Sequence, residues 1–545
     1  MKKSLIPALA MILVTGMILI SCAEPEETPE PVSPTATTPT PTTTEPEDTL
    51  GPLARPPGGK EGGRLQLVGA GNISNLGNPN AISNPYDAFL ATPCIESLFI
   101  IGADGNLKPW LAERFEIARD GSYITFYLRK GVKFHDGTDF NAEACKYNLD
   151  NGIYSEVWPN LKTCESAVII DDYTVRLNFK EGKFDWGAAK SLAGFFSCRI
   201  YSPKSLQEND DVWKHTHVVG TGPFKLVNYK RDQLLEFERF DDYWRGTPYL
   251  DGIDIKIIPQ LTTRLLAFKS GEAHLLFVLP NHAQGLLEDG FTIIESTDMI
   301  QNLCLIPSSN NPDSPFANVN VRRAIEHAID KQALVDGLTY GYGRISNQVF
   351  LEFQDEYDPN TTGYPYDPER AKELLAQEKY AEGFTTSIWL ADFGVSYVPE
   401  ALQDMLSKVN ITLNIERIDI GQLGEMVALG GPGWEGFMFA YSFPGTKVDP
   451  AGVLLNGPLS NNTTWISCNQ PEELLELTAQ GAAEIDPVKR SAIYREISRK
   501  MTDDYCMWIF MYWTPTLWSV SPVVKGHTLG EYSEAFVYTF AWLDD

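Results

Sequence analysis

The sequence predicts a mixed α/β protein of two or three lobes, and three observations lead there. At 545 residues the chain exceeds what one hydrophobic core holds, since cores stop growing well short of that length. Hydrophobic residues supply 43% and charged residues 21%, a balance that buries ample apolar surface and predicts a globular chain. From residue 63 onward, runs alternating at period two are interleaved with stretches at helical period, the pattern of sheet and helix packed together.

The first residues carry an address. Lys2 and Lys3 form a basic start, and Leu5 to Ile20 is an apolar run broken by Pro7, Thr15 and Gly16, the layout of a secretion signal. Leu19-Ile20-Ser21-Cys22 closes that run and resembles the lipobox of bacterial lipoproteins: apolar residues, a small one, then cysteine. The resemblance implies that 1–22 is a lipoprotein signal peptide, cleaved before Cys22, with a diacylglycerol thioether on the Cys22 sulfur. A single-pass anchor is the rival reading. Residues 23–62 alternate Pro, Thr and Glu and then carry Pro52, Pro56, Pro57, Gly58 and Gly59. Low hydrophobicity and proline-enforced extension make this stretch a disordered tether able to hold a domain off a membrane.

Charge and motif content exclude several function classes. Asp and Glu total 72 against 44 Lys and Arg, and the net charge of −28 repels phosphate backbones, so nucleic acid is not a partner. Without Cys22 the cysteines are seven, at 94, 145, 164, 198, 304, 468 and 506. That odd number, with no C-x-x-C spacing, argues against a zinc site and leaves disulfides and buried free thiols both open. His215 and His217 precede Val218 to Pro223 and read as a surface turn, with two imidazoles on one strand face as the metal-binding alternative. No G-x-S-x-G elbow, H-E-x-x-H helix or P-loop occurs, so no catalytic residue, metal or cofactor is expected. The string Gly431-Pro432-Gly433-Trp434-Glu435-Gly436 runs into Phe437 to Tyr441, an apolar strand where a dinucleotide loop needs a helix. The acidic pairs Asp241-Asp242 and Asp503-Asp504 read as solvated surface.

The elements follow in order. Leu65, Leu67 and Gly69 begin a strand that runs into a polar loop from Asn72 to Pro85. Tyr123 to Arg129 and Thr174 to Phe179 alternate at period two and are expected to pair antiparallel. Strands are also expected at Leu234 to Phe240 and Ile253 to Ile258, then a helix around Thr262 to Ser270. Val321, Ala324, Ile325, Ala328 and Ile329 share one helical face, with Asn320 as the expected cap and His327 off the stripe, in solvent. Asp367-Pro368-Glu369 opens a second helix that carries Ala371, Leu374 and Leu375 inward. Thr386 to Leu390, Glu400 to Lys408 and Ile411 to Ile415 form a β-α-β unit. Loops at the carboxyl ends of such strands converge on a ligand crevice, which makes Asp392 and Phe393 candidates, with packing under the next helix as the rival for Phe393.

Leu107-Lys108-Pro109-Trp110-Leu111-Ala112-Glu113, Asp120-Gly121 and the run Arg129 to Thr138 resemble the extracellular solute-binding proteins of family 5, the peptide, dipeptide and nickel receptors of ABC importers. Gly220-Thr221-Gly222-Pro223-Phe224, Tyr243-Trp244-Arg245-Gly246, Phe268 to Glu272, Val321 to Ile325 and Asp367 to Ala371 continue the match in family order. The resemblance implies a periplasmic-binding-protein-like fold: two lobes joined by a hinge, closing like a flytrap, plus an additional smaller domain. Carried onto this chain, lobe one is 64–90, 201–300 and 511–545, the small domain is 91–200, and lobe two is 301–510. It further implies a monomer on the outer side of the cytoplasmic membrane that hands an oligopeptide-like, opine or sugar solute to ABC permease subunits. Solute contacts are expected near Ser74, Asn75 and Asn78, and at Tyr441, Ser442, Phe443 and Asp449. Trp389, with Tyr441, Phe443, Trp434 and Trp465, is a candidate stacking wall, with core packing the rival and individually favoured reading for each. Peptide binders of the family carry an Asp just after the aromatic residue to pair with the α-amine, and Tyr441-Ser442-Phe443-Pro444 has none. A sensor or chaperone of the same fold, and a secreted hydrolase, are the alternatives.

Overall fold

Period-two alternation becomes sheet wherever the sequence shows it. The computed structural model describes residues 55–69, 75–79, 90–101, 107–155, 159–193, 198–391, 397–418, 420–427, 432–442, 449–455, 459, 467–529 and 538–544. Cys22 and most of the tether lie outside these residues. Arg64–Gly69 buries every second side chain and pairs in parallel with Gly252–Ile257. Leu234–Arg239 and Phe224–Lys230 extend the sheet antiparallel on one side, and Leu275–Val278 adds to the other. Leu65, Phe237 and Ile253 are central to the core beneath, and the helix expected near Thr262 is Leu261–Lys269.

A separate four-stranded sheet runs in the order Ala112–Ile117, Tyr123–Leu128, Thr174–Phe179, Cys164–Asp171. Its middle pair is the expected antiparallel one, with Tyr123 opposite Asn178. The helix Ala142–Tyr154, capped by Asn141, packs on it, and Phe126, Phe134, Leu149 and Leu177 are fully buried in a core reaching from Leu98 to Ile200. We call this the small domain.

The expected β-α-β unit is Phe384–Ala391, Val398–Ser407 and Ile411–Ile418, with the two strands parallel. Phe437–Ser442 lies parallel on the other flank, so a strand does follow the glycine string. Two details differ from expectation. The helix carrying Val321, Ala324, Ile325 and Ala328 inward starts at Val319, and its cap is Asn318, which accepts from the Asn320 amide at 2.8 Å. Asn320 donates instead to Glu378 at 2.7 Å. His327 is half-buried, its Nδ1 2.8 Å from the Pro365 carbonyl and its ring edge-on to Tyr364. His215 is helical, in Asp211–Thr216, because Asp210 caps that turn; His217 ends it and stacks on Trp213 at 4.5 Å.

Two long strands tie the large sheet into one path of hydrogen bonds. Thr292–Pro307 and Ile509–Val520 run antiparallel to each other, next to Leu275–Val278 at one end and Phe437–Ser442 at the other. Their ladder breaks in the middle: Ser296 faces Thr516, and the next pair is Ile300 with Pro515. Residues 297–299 therefore have no opposite number, and Pro515 has no N–H to give. Distinct cores sit on either side of the break, one built around Leu65 and Phe237, the other around Leu305, Ile388 and Phe437.

Candidate functional site

The ladder break lies between the two cores of the large sheet, and the candidates Tyr441 and Ser442 fall near it. Register places Leu303 opposite Tyr441 and Asn302 opposite Ser442, so the backbone of Tyr441 and Ser442 lies within three residues of Ile300 on the partner strand. Phe384–Ala391 runs parallel to Phe437–Ser442 and ends on the same side. Of the other candidates, Ser74, Asp392, Phe393, Phe443 and Trp465 lie outside the described residues.

Asn75 spends its side chain on its own loop. Its Oδ1 accepts from the Asn78 amide at 3.0 Å and its Nδ2 donates to the Asn78 carbonyl at 2.7 Å. The loop docks on the Asp211–Thr216 helix through Leu76 and Gly77 amides bonded to the carbonyls of His215 and Lys214.

Asp449 is buried, 4% exposed, and stands just before the helix Pro450–Leu455, where its carbonyl accepts from the Val453 amide at 3.0 Å. Its carboxylate receives the Arg490 guanidinium, and Lys190 of the small domain approaches to 4.0 Å. Asp185 and Glu356 face the same group. Burial pushes both their carboxyls above the usual range and the Asp449 charge adds to it, against Lys190 and Arg490 in the case of Glu356. Trp186 belongs here too: its indole N–H donates to the Glu484 carbonyl at 2.9 Å, and the Arg490 guanidinium lies 5.6 Å from its ring.

Trp389 is elsewhere. Its N–H donates to the Glu435 carbonyl at 2.8 Å, and its ring lines a cavity of about 600 Å³ with Asn310, Asn311, Trp434, Glu435 and Ser467. The Glu435 carboxylate is fixed there by Ser314 at 2.7 Å, Ser308 at 3.1 Å and Asn311 at 3.2 Å. Trp434 donates to Ile306, six residues beyond Ile300, so this cavity is roughly 20 Å along the strand from the ladder break. In register Trp389 stands opposite Met438, three residues before Tyr441.

Sequence reading missed Glu96, 1% exposed, which joins the small domain to the first half of the large sheet. Its Oε1 accepts from Trp110 Nε1 and Tyr243 OH, both at 2.8 Å, and its Oε2 from Thr221 at 2.7 Å and Trp244 Nε1 at 3.0 Å. Arg245 lies 4.4 Å over the Trp110 ring. Burial pushes this carboxyl up and the four donors pull it back. Beside it, His135 Nε2 donates to the Gly222 carbonyl at 2.8 Å, and a Cβ on Gly220 would stand 2.2 Å from the Cys94 carbonyl.

Four of the motif runs noted in the sequence thus meet at one junction, and comparison with known proteins gives that junction its context. The family model for bacterial extracellular solute-binding proteins, family 5 Middle, matches residues 106–435, more than half of the chain. The chain belongs to this family. A curated relative, the glutathione-binding protein GsiB of Salmonella choleraesuis (strain SC-B67), is 28% identical over 440 residues, 76% of this chain and 83% of that one. Among solved structures, the periplasmic binding protein DppA of Helicobacter pylori in complex with the peptide STSA aligns with a TM-score of 0.74 and 23% identity, over 89% of this chain and 99% of that one. NikA of Brucella suis in complex with Fe(III)-EDTA aligns at 0.75 and 24%, over 88% and 100%. The fold of this family 5 protein is therefore that of the periplasmic binding proteins with the extra domain, and its family is one of extracellular solute-binding proteins. The relatives are binding proteins. No described helix is long and apolar enough to cross a membrane.

Proposed function

We propose that this chain is the lipid-anchored receptor of an ABC importer for a small, peptide-like solute bearing a carboxylate, held between two lobes that hinge at residues 297–299 and Pro515. The observation that carries the reading is the ladder break, with a separate core on each side. A solute touching both halves stabilises the closed form, which the permease reads as loaded. The first lobe is 64–90, 201–300 and 511–545, the second 301–510, and 91–200 the small domain.

Charge selects the solute class. Asp449, the nearest carboxylate after the strand Phe437–Ser442, is engaged by Arg490 and Lys190, which leaves it unsuited to an incoming ammonium. The segment 443–448 reads Phe-Pro-Gly-Thr-Lys-Val, and Lys447 is its one charged residue. A loop of that composition favours a carboxylate over an amine. The glutathione-binding relative supports a short peptide with free carboxylates.

Melting the mature protein against glutathione, tri- to pentapeptides, opines and sugars tests this. A solute at about a hundredfold over its dissociation constant adds about 3 kcal/mol, or roughly 2–4 °C for a chain of this size. N-acetylated peptides should retain the shift and C-amidated ones lose it. The opposite order, or a shift from sugars alone, overturns the solute class. Anchoring is tested by Cys22→Ala, which should abolish incorporation of labelled fatty acid and release the protein from membranes; retained label would remove Cys22 from the account.

A further inference from the structure

The small domain is bonded to lobe one at this junction. His135 holds Gly222, and the Glu96 carboxylate gathers Trp110 of the small domain together with Thr221, Tyr243 and Trp244. Any rotation about the ladder break therefore carries the small domain with lobe one. The chain leaves the small domain into lobe one, so the small domain meets lobe two only by non-covalent contact.

One such contact is well built. The helix Trp186–Lys190 starts at Asp185, whose Oδ1 accepts from the Gly187 amide at 2.7 Å. From this helix Trp186 donates to the Glu484 carbonyl at 2.9 Å, just past the last turn of Glu472–Ala483, where helix carbonyls lack a partner of their own. Lys190 reaches Asp449, already paired with Arg490, and Ile485 packs on the small-domain core. Lys190 and Arg490 are 15% and 8% exposed, so water screens these charges little.

We propose that the Trp186–Lys190 helix is a clasp, an element that holds lobe two in the closed position and so sets solute affinity without touching the solute. This rests on the hinged reading above. With the clasp in place the solute supplies only part of the closing free energy; without it, the solute alone must hold the lobes together.

The test is small-angle X-ray scattering of the mature, solute-free protein, wild type beside the double variant W186F/K190M. Phenylalanine keeps a ring against Arg490 and removes the N–H donor; methionine keeps the Lys190 stem and removes the charge. The closed-to-open ratio should fall about tenfold in the double variant, as for the loss of one partly buried hydrogen bond and one ion pair, with an unchanged far-ultraviolet circular dichroism spectrum. The single variant W186F, which leaves the Lys190 charge in place, should show part of the same shift. Identical scattering from wild type and double variant overturns the clasp. If peptides then still raise the wild-type melting point, the hinged receptor stands without it. If no peptide does, the receptor reading falls, and the solute-free comparison still decides the clasp.

Discussion

Acidification should loosen the junction between the small domain and lobe one through His135. Its Nε2 donates to the Gly222 carbonyl at 2.8 Å, and its Nδ1 is buried with no partner. Protonation puts a second N–H on Nδ1 with no acceptor, edge-on to Phe240 at 5.0 Å. Burial dominates, Lys225 adds repulsion, and the Gly222 carbonyl and Asp136 only partly offset them, so the imidazole is held down from 6.5 to about 4. A folded value below the unfolded one means the unfolded chain binds the proton first. The stabilisation is complete above about pH 6.5 and drains away as pH falls toward 4. The gap of about 2.5 units, at 1.36 kcal/mol each, amounts to about 3 kcal/mol. Urea unfolding followed by tryptophan fluorescence between pH 7.5 and 4.5 measures it, with His135→Gln as reference, since an amide N–H can still reach Gly222 and does not titrate. Asp254, held below the usual carboxylate range, contributes equally to both proteins and cancels in the difference. The wild type should lose stability over the variant by about 2.5 kcal/mol across that interval, which ends just above the folded value. A difference that does not change with pH refutes the burial argument.

Glu96→Gln should lower the melting midpoint by about 3 °C or more. Each carboxylate oxygen receives one indole N–H, from Trp110 and from Trp244, so the glutamine NH₂ faces a group that can only donate whichever way the amide turns. Such a clash costs about 3 kcal/mol, and calorimetry showing an unshifted midpoint would contradict it. The thiols give a chemical test. Cys94, Cys145, Cys164, Cys198, Cys304, Cys468 and Cys506 are buried and unbridged, and burial drives Cys164 and Cys198 up to about 12. Ellman's reagent should find almost no thiol in the native mature protein and about seven in guanidinium without reductant; five or fewer would mean a disulfide.

What the sequence made legible was whatever local periodicity and capping chemistry control. The Tyr123 and Thr174 strands, the Asp367-Pro368 helix start and the strand after Gly436 follow from residues within a few positions of one another. Misplacements were of the same local kind: Asn318 and Asn320 compete for one cap, and the turn holding His215 became helix once Asp210 capped it. The site fared differently because its parts are far apart in sequence. Trp186 and Glu484 are 298 residues apart, and Asp449 and Arg490 are 41. No spacing rule connects them. Asp449 was marked by the sequence as a solute contact, but the charged partners beside it, Arg490 and Lys190, are visible only in three dimensions. Glu96 had no signal at all, since a lone glutamate beside Ser97 and Leu98 resembles any surface carboxylate until four donors converge on it.

The position of the break in the crossing strands shapes what the receptor can sense. Among the described residues, only Thr292–Pro307 and Ile509–Val520 run through it as paired strands, and a two-stranded ribbon missing pairs at its centre resists bending weakly. The closed state must then draw its stability from contacts remote from the hinge, where a small rotation produces a large displacement. The clasp at Trp186 and Asp449 is such a contact, and the Glu96 junction gives it leverage because the small domain cannot yield on the lobe-one side. A soft hinge with a stiff arm makes closure nearly all-or-none, so partial occupancy of the cleft by a solute that fails to bring the Trp186 helix onto Glu484 leaves the lobes open. Discrimination among solutes thus depends on size and reach as well as on the groups that touch them, which is why truncating a bound peptide by one residue should cost more affinity than the lost contacts alone.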